Sequence, residues 1–305
     1  MKLLIANKLG LKGLDILRAQ KQIKFDYFES ISDKKLLKII PEYDAVIVRS
    51  KPQISKTVIQ AGKNLKLIAR AGVGLDNIDL KTAAKHNIEV INAPDANTIS
   101  AAEHTFALML ATARHLIPAN ESLKAGRWDR KLFLGTELFG KTLALIGCGR
   151  IAQHVNQIAQ GFQMKVIGYD PFVDETQMAA QQIQKIETLN KTLQEADIVS
   201  LHLPHIPETH HLIGKKELKQ MKSHAILINC ARGGIIDEKT LFTALQNKTI
   251  QAAGIDVWEN EPDTKNPLQK LPNVVAIPHL GASTHEAQVR VSEIIIQKTL
   301  QKLLK

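Results

Sequence analysis

Three polar side chains, each placed after an apolar run in the last quarter of the chain, have types suited to one task. Arg232 follows Ile226–Cys230 in Cys230-Ala-Arg-Gly-Gly-Ile-Ile-Asp, Glu261 lies in Gly254-Ile-Asp-Val-Trp-Glu-Asn-Glu, and His279 opens His-Leu-Gly-Ala-Ser-Thr after Pro278. A planar guanidinium grips a carboxylate through two parallel hydrogen bonds, which an ammonium cannot imitate. An imidazole exchanges a proton near neutral pH, and a carboxylate beside it orients the ring and favours its protonated form. Such a set suits proton transfer at a hydroxyl-bearing carbon next to a carboxylate. Taken singly, the three read as a surface ion-pair partner, a Glu-Pro turn and a loop histidine. Their shared placement at the ends of apolar runs favours the joint reading.

A second motif supplies the partner for that chemistry. After the apolar run Thr142-Leu-Ala-Leu-Ile comes Gly147-Cys-Gly-Arg-Ile-Ala152, the G-x-G-x-x-G/A form. The first glycine makes a tight turn and Gly149 lets the backbone approach a pyrophosphate. A small third residue brings the following helix close to the sheet. That helix would present its free N–H groups, with Arg150 and Ile151 in its first turn, to the phosphates. Asp170 ends the next apolar run, 23 residues after Gly147, where a carboxylate binds both ribose hydroxyls of NAD and repels the extra phosphate of NADP. The cofactor expected is NAD, and the joint chemistry is hydride transfer coupled to proton transfer.

These motifs need elements to hold them. Candidate strands over Lys2–Asn7, Lys24–Glu29, Ala45–Arg49, Lys66–Ala71 and Glu89–Ala93 alternate with helical stretches Leu11–Gln20, Asp33–Ile40 and Ile78–His86. A longer helix is expected over Ser100–Leu116, opened by a Ser100-x-x-Glu103 capping box and ended or bent by Pro118. Strands then recur over Thr142–Gly147, Lys165–Tyr169, Ile198–Leu203, Ala225–Cys230, Ala253–Trp258 and Val274–Pro278. Helices read at Ile151–Gly161, Lys215–Met221 and Asp237–Gln246, and a last amphipathic stretch runs from Thr284 to Leu304. Alternation of this kind predicts an α/β protein of two doubly wound parallel-sheet domains.

Composition excludes other classes. With 305 residues, 44% apolar and 23% charged, the chain is neither disordered nor membrane-spanning. The opening Met1–Lys8 reads as a first strand rather than a secretory signal. The net charge of +10 accompanies scattered lysines and only 4% aromatics, which argues for a solvated surface and anionic small molecules over nucleic acid. Two cysteines, Cys148 and Cys230, form no disulfide framework, so a cytoplasmic setting is expected. His202, His205, His210 and His211 flank a proline-containing loop and are read as loop histidines rather than a ligand set, so no metal is expected.

Six segments occur in order: Ala69–Asp79, Phe133–Thr142, the Gly147–Ala152 turn, Leu201–Pro204, Asn229–Gly234 and Pro278–Thr284. Together they resemble the NAD-dependent D-2-hydroxyacid dehydrogenases, most closely their D-3-phosphoglycerate branch, over nearly the whole chain. The resemblance implies a flavodoxin-like substrate domain over 1–97, completed by 283–305, and a Rossmann NAD domain over 98–282, with the active site in the cleft between. It implies oxidation of 3-phospho-D-glycerate to 3-phosphohydroxypyruvate, with Arg232 on the substrate carboxylate and His279 as acid/base paired to Glu261. By the same likeness Asp256 lies near the nicotinamide, and Val73, Leu203, Cys230, Ala231 and Gly281 line the NAD site together with Arg232 and His279. Arg49, Lys51 and Arg70, with Gly72, Val73 and Gly74, would receive the phosphorylated substrate. Arg130 and Lys131 would reach in from a partner copy, and Ser100–Leu116 would contribute to the interface of a homodimer or homotetramer. The sequence stops at Lys305, so no serine feedback through the regulatory domain of longer members is expected. Alternatives are a glyoxylate/hydroxypyruvate reductase or D-lactate dehydrogenase, and, from another class, an NAD-sensing corepressor-like interaction protein.

Overall fold

Runs such as Ala45-Val-Ile-Val and Ile226-Leu-Ile-Asn are buried at every position, the pattern of a strand covered by helices on both faces. A computed structural model of the chain describes residues 1–304. It divides into two units: Met1–Thr98 with the chain from Ala282 onward, and Ile99–Gly281.

The first unit alternates β1 (Lys2–Ile5), α1 (Leu11–Arg18), β2 (Lys24–Tyr27), α2 (Asp33–Ile39), β3 (Ala45–Val48), α3 (Lys56–Ala61), β4 (Leu67–Arg70), α4 (Leu80–Lys85) and β5 (Glu89–Asn92). All its strand pairs are parallel, in the order β2-β1-β3-β4-β5. Successive side chains along a strand point to opposite faces. Leu3, Ile5 and Ile47 therefore pack with Ile295 and Ile296 on one face, while Leu4, Val46 and Val48 pack with Leu36 and Val58 on the other.

The second unit contains α5 (Thr98–Ala113), α6 (Leu116–Lys124), β6 (Thr142–Ile146), α7 (Arg150–Gly161), β7 (Lys165–Tyr169), α8 (Glu175–Ala179), β8 (Gln184–Lys185) and α9 (Leu189–Glu195). It continues with β9 (Ile198–Leu201), α10 (Lys215–Leu218), β10 (Ile226–Asn229), α11 (Glu238–Gln246), β11 (Ala252–Ile255) and β12 (Val274–Ala276), after which α12 (His285–Leu303) belongs to the first unit. Its parallel sheet runs β12-β11-β10-β9-β6-β7-β8. The chain winds outward from β6 in both directions, so a topological switch point falls between β6 and β9, where such sheets bind ligands.

Three local expectations need correction. The long helix already starts at Thr98, so Ser100 and Glu103 lie inside it and form no capping box. Pro118 neither ends nor bends it. His115, in the left-handed region at φ +51°, makes the break, and Pro118 occupies the first turn of α6, where a missing N–H costs little. Helices α3, α8 and α9 and the two-residue β8 were not read from the sequence, being too short to show a period. No helix of the described residues is long and apolar enough to cross a membrane.

Candidate active site

In a parallel sheet every strand delivers its following loop to the same edge. The carboxyl edge of the second unit accordingly receives the Gly147 turn, Asp170, Leu203, Cys230–Arg232, Asp256–Glu261 and His279–Gly281. Gly147 has φ +88°, and a Cβ there would lie 2.6 Å from the His202 carbonyl oxygen, so only glycine fits this turn. Gly149 caps α7 with extended backbone. A Cβ on it would meet nothing within 4 Å, so the approach to the helix N-terminus is open. Asp170 accepts the N–H of Cys148 and of Phe172, each at 2.9 Å. One oxygen is used by each bond, leaving lone pairs on both for hydroxyl donors. Ala152 is fully buried beneath the turn. These residues fit a dinucleotide: the Gly147–Ile151 backbone for its pyrophosphate and Asp170 for its ribose.

Side-chain hydrogen bonds shape the loop after β10 and tie the loops after β11 and β12 to each other. Buried Asn229 accepts the Ala231 N–H at 3.0 Å and donates to the Arg232 carbonyl at 2.9 Å, which shapes the turn carrying Arg232. Trp258 donates its indole N–H to the Ile277 carbonyl at 3.0 Å, joining the loop after β11 to that after β12. Its backbone N–H reaches Glu261 Oε1 at 2.9 Å, and the other oxygen, Oε2, lies 2.7 Å from His279 Nδ1. With Nδ1 engaged, Nε2 is the nitrogen left to exchange a proton with a ligand. His279 itself sits at φ +55°.

Beneath that loop, the fully buried Asp256 accepts the N–H of Leu280 at 2.7 Å and of Gly281 at 3.0 Å, while its own carbonyl takes the His279 N–H at 2.7 Å. His104 of α5 brings Nε2 to 3.2 Å from the same carboxylate. Burial alone would raise the Asp256 carboxyl, but His104 and the two N–H donors outweigh it and hold it below the ordinary carboxylate value. Glu261 behaves alike: burial works upward, the bonds from His279 and Trp258 work downward, and the net shift is down. Both remain anionic at neutral pH. Burial also pushes the Cys148 thiol up to about 12 and raises Cys230, each helped by a neighbouring aspartate, so neither is a thiolate nucleophile.

Residues 106–281 match the family described as D-isomer specific 2-hydroxyacid dehydrogenase, NAD binding domain. This chain belongs to the D-isomer specific 2-hydroxyacid dehydrogenase family. It is 44% identical to the D-3-phosphoglycerate dehydrogenase of Synechocystis over 99% of this chain and 54% of that one. It is 46% identical to the hydroxypyruvate reductase of Thermotoga maritima over 90% of each chain. Among solved structures, D-lactate dehydrogenase from Aquifex aeolicus, complexed with NAD and lactic acid, superposes with a TM-score of 0.88 at 26% identity over 99% of this chain and 95% of that one. The chain spans about half the length of the phosphoglycerate dehydrogenases it matches, between 54% and 58%.

The other residues expected from this dehydrogenase family are distributed over both units. Arg49 and Lys51 follow β3 and Arg70 ends the adjacent β4, so all three stand at one edge of the first unit's sheet. Asn7 accepts the Arg49 N–H at 2.7 Å, and Asn77 donates to the Arg49 carbonyl at 2.9 Å. Burial lowers the Arg49 pKa, and no carboxylate pairs with it among the described residues. In the Gly72–Gly74 loop, Gly72 and Val73 are tied to β5 through Ala93 N–H and the Asn92 amide. Arg130 and Lys131 lie exposed on a short 3-10 turn of the second unit.

Sequence reasoning missed His104, Asn229, Trp258 and Glu259. His104 lies on a helix read as part of a subunit interface, and the other three act through contacts that only the folded loops create. An imidazole in the mostly apolar Ala101–Ala113 run was the one available signal for His104. The reading of His205, His210 and His211 as plain loop histidines needs correction too: Glu208 lies among them in sequence, and Glu259 lies 3.2 Å from His211.

Proposed function

We propose that the chain oxidises 3-phospho-D-glycerate to 3-phosphohydroxypyruvate with NAD, or runs the reverse. The observation that carries this reading is the 2.7 Å contact between Glu261 and His279 Nδ1 on the edge that also carries Arg232. Arg232 holds the substrate carboxylate bidentately. His279 Nε2 accepts the proton of the C2 hydroxyl, and Glu261 stabilises the imidazolium that forms. Bound NAD would supply the hydride acceptor for C2. Asp170 favours NAD over NADP by repelling a 2′-phosphate.

Arg49, Lys51 and Arg70 are assigned to the substrate phosphate, with Gly72, Val73 and Gly74 lending backbone groups. A half-buried Arg49 without a carboxylate partner is the kind of cation an anion stabilises. Val73, Leu203, Cys230, Ala231, Asp256 and Gly281 are assigned to the NAD site. We also infer a homodimer. Leu116, Ile117, Leu123, Trp128, Leu132 and Leu134 are exposed apolar side chains clustered in sequence, a surface that association would cover. Most of α5 is core instead, through Ala102, Phe106, Leu108 and Met109. Arg130 and Lys131 fall within the exposed stretch, consistent with a role toward a partner copy.

The likeness to a hydroxypyruvate reductase favours one second reading, an enzyme for an unphosphorylated acid. A substrate panel decides. A higher kcat/KM for 3-phosphoglycerate than for glycerate supports the phosphorylated substrate. The opposite order supports the second reading, and tight NAD binding without turnover of any 2-hydroxy acid would remove both.

A further inference from the structure

Besides the Glu261–His279 pair, the second unit gathers four more side chains able to hold a metal. The loop after β9 carries His205, His210 and His211, and Glu259 comes from the loop after β11, 48 residues beyond His211. His210 and His211 stack with ring centroids 3.9 Å apart, and His211 Nε2 stands 3.2 Å from Glu259 Oε1. His205 Nε2 lies 3.1 Å from His210 Nδ1. One ligand atom each from His210, His211 and Glu259 falls within 4.8 Å of the others. Donors around a tetrahedral zinc with bonds of about 2.0–2.2 Å stand roughly 3.4 Å apart, so binding requires the stacked rings of this exposed loop to rotate and close on the ion.

The loop is built to hold this arrangement. Thr209 Oγ1 accepts the Ile206 N–H at 2.9 Å and donates to the Pro204 carbonyl. The His211 N–H bonds to the Gly234 carbonyl at 2.8 Å, and Ile213 bridges to Ile236. On the other side, the Glu259 N–H is held by Glu238 Oε1 at 2.7 Å. His205, His210 and Glu259 are exposed and His211 is half-buried, so core packing does not account for two imidazoles gathered beside one carboxylate.

We propose that His210, His211 and Glu259 form a surface site for a divalent transition ion of the zinc class, with His205 orienting His210. Two imidazoles and a carboxylate leave a fourth position for water, the donor set that suits zinc rather than the oxygen-seeking magnesium or calcium. Binding replaces the contact between His211 and Glu259 with two metal bonds and releases any proton held there. The site is separate from the dehydrogenase assignment and stands whichever 2-hydroxy acid is turned over.

The test is calorimetric titration of untagged, chelator-treated protein with ZnCl2, with Co2+ as a spectroscopic substitute. We expect stoichiometric Zn2+ binding, visible d–d bands of low-coordinate Co2+, and no heat with MgCl2. His210→Ala with His211→Ala abolishes binding, Glu259→Gln weakens it, and His205→Ala weakens it about 10-fold as an orienting partner would. Absence of binding to the wild-type chain overturns the proposal. So does unchanged binding in the double variant, or a site lost only in Cys230→Ser, which would place the ion among His104, Cys230 and Asp256.

Discussion

The carboxyl edges of the two sheets treat charge in opposite ways. In the second unit the ionisable groups come as pairs: Glu261 with His279, Asp256 with His104. Each pair is further fixed by backbone N–H groups, from Trp258 to one carboxylate and from Leu280 and Gly281 to the other. In the first unit Arg49 has its backbone pinned by Asn7 and Asn77, while its guanidinium bears a desolvation penalty without an acidic partner. A group that must move a proton needs its geometry set beforehand, because misplacement raises the barrier. A group that must recognise an anion is best left wanting one. The contrast supports the proposed division, with chemistry in the second unit and anion recognition in the first.

The strongest way to break this contrast is His279→Ala. Loss of the general base should lower kcat by roughly 10²–10⁴, while NAD affinity measured by fluorescence titration stays near wild type. A variant that keeps its turnover would remove the pair from the mechanism. Glu261→Gln should cost less in kcat, since a neutral amide still orients the ring but no longer stabilises the imidazolium formed in the reaction. An unchanged kcat would make Glu261 structural only.

Arg49→Gln sharpens the other side. Losing a charged hydrogen bond of about 1.5–3 kcal/mol should raise KM for 3-phosphoglycerate about tenfold or more and leave glycerate nearly unaffected. Equal effects on both substrates would argue that Arg49 does not read the phosphate.

The smallest effect expected is on stability, at the amino-terminal edge of the second sheet. Asp197 accepts from Lys222 at 2.8 Å, His224 at 3.0 Å and the Thr142 N–H at 2.9 Å. Burial opposes these bonds, but they prevail and lower its pKa from 3.8 to about 2. A depressed carboxyl contributes stability above its unfolded value, and that contribution disappears as pH falls through the folded one. Asp197→Asn should therefore cost on the order of 2 kcal/mol at neutral pH, with the gap in denaturant midpoint closing between about pH 4 and pH 2. A gap that persists at pH 2 would assign the loss to hydrogen bonding rather than ionisation.

Much of this was legible in one dimension because the relevant signals are local. Alternating apolar runs define the parallel strands, and strand-Gly147-x-Gly149-helix is a backbone requirement of the turn itself. Asp170 is placed by the length of one strand-helix-strand unit. Short elements were less legible: α3, α8 and β8 hold too few residues for a period to emerge. The break at His115 depends on a left-handed backbone that a proline three residues later disguises.

What the chain determined by itself is therefore the set of loops on each carboxyl edge, since strand direction and loop order follow from the succession of apolar runs. Which side chains meet there was decided by strand order and packing. Glu261 touches His279 because β11 and β12 are neighbours and Trp258 locks their loops together. His104 reaches Asp256 because α5 packs on the same sheet, and Glu259 reaches His211 because loops from non-adjacent strands converge. Such contacts hold groups that lie far apart in sequence, and only folding offsets the entropy of bringing them together.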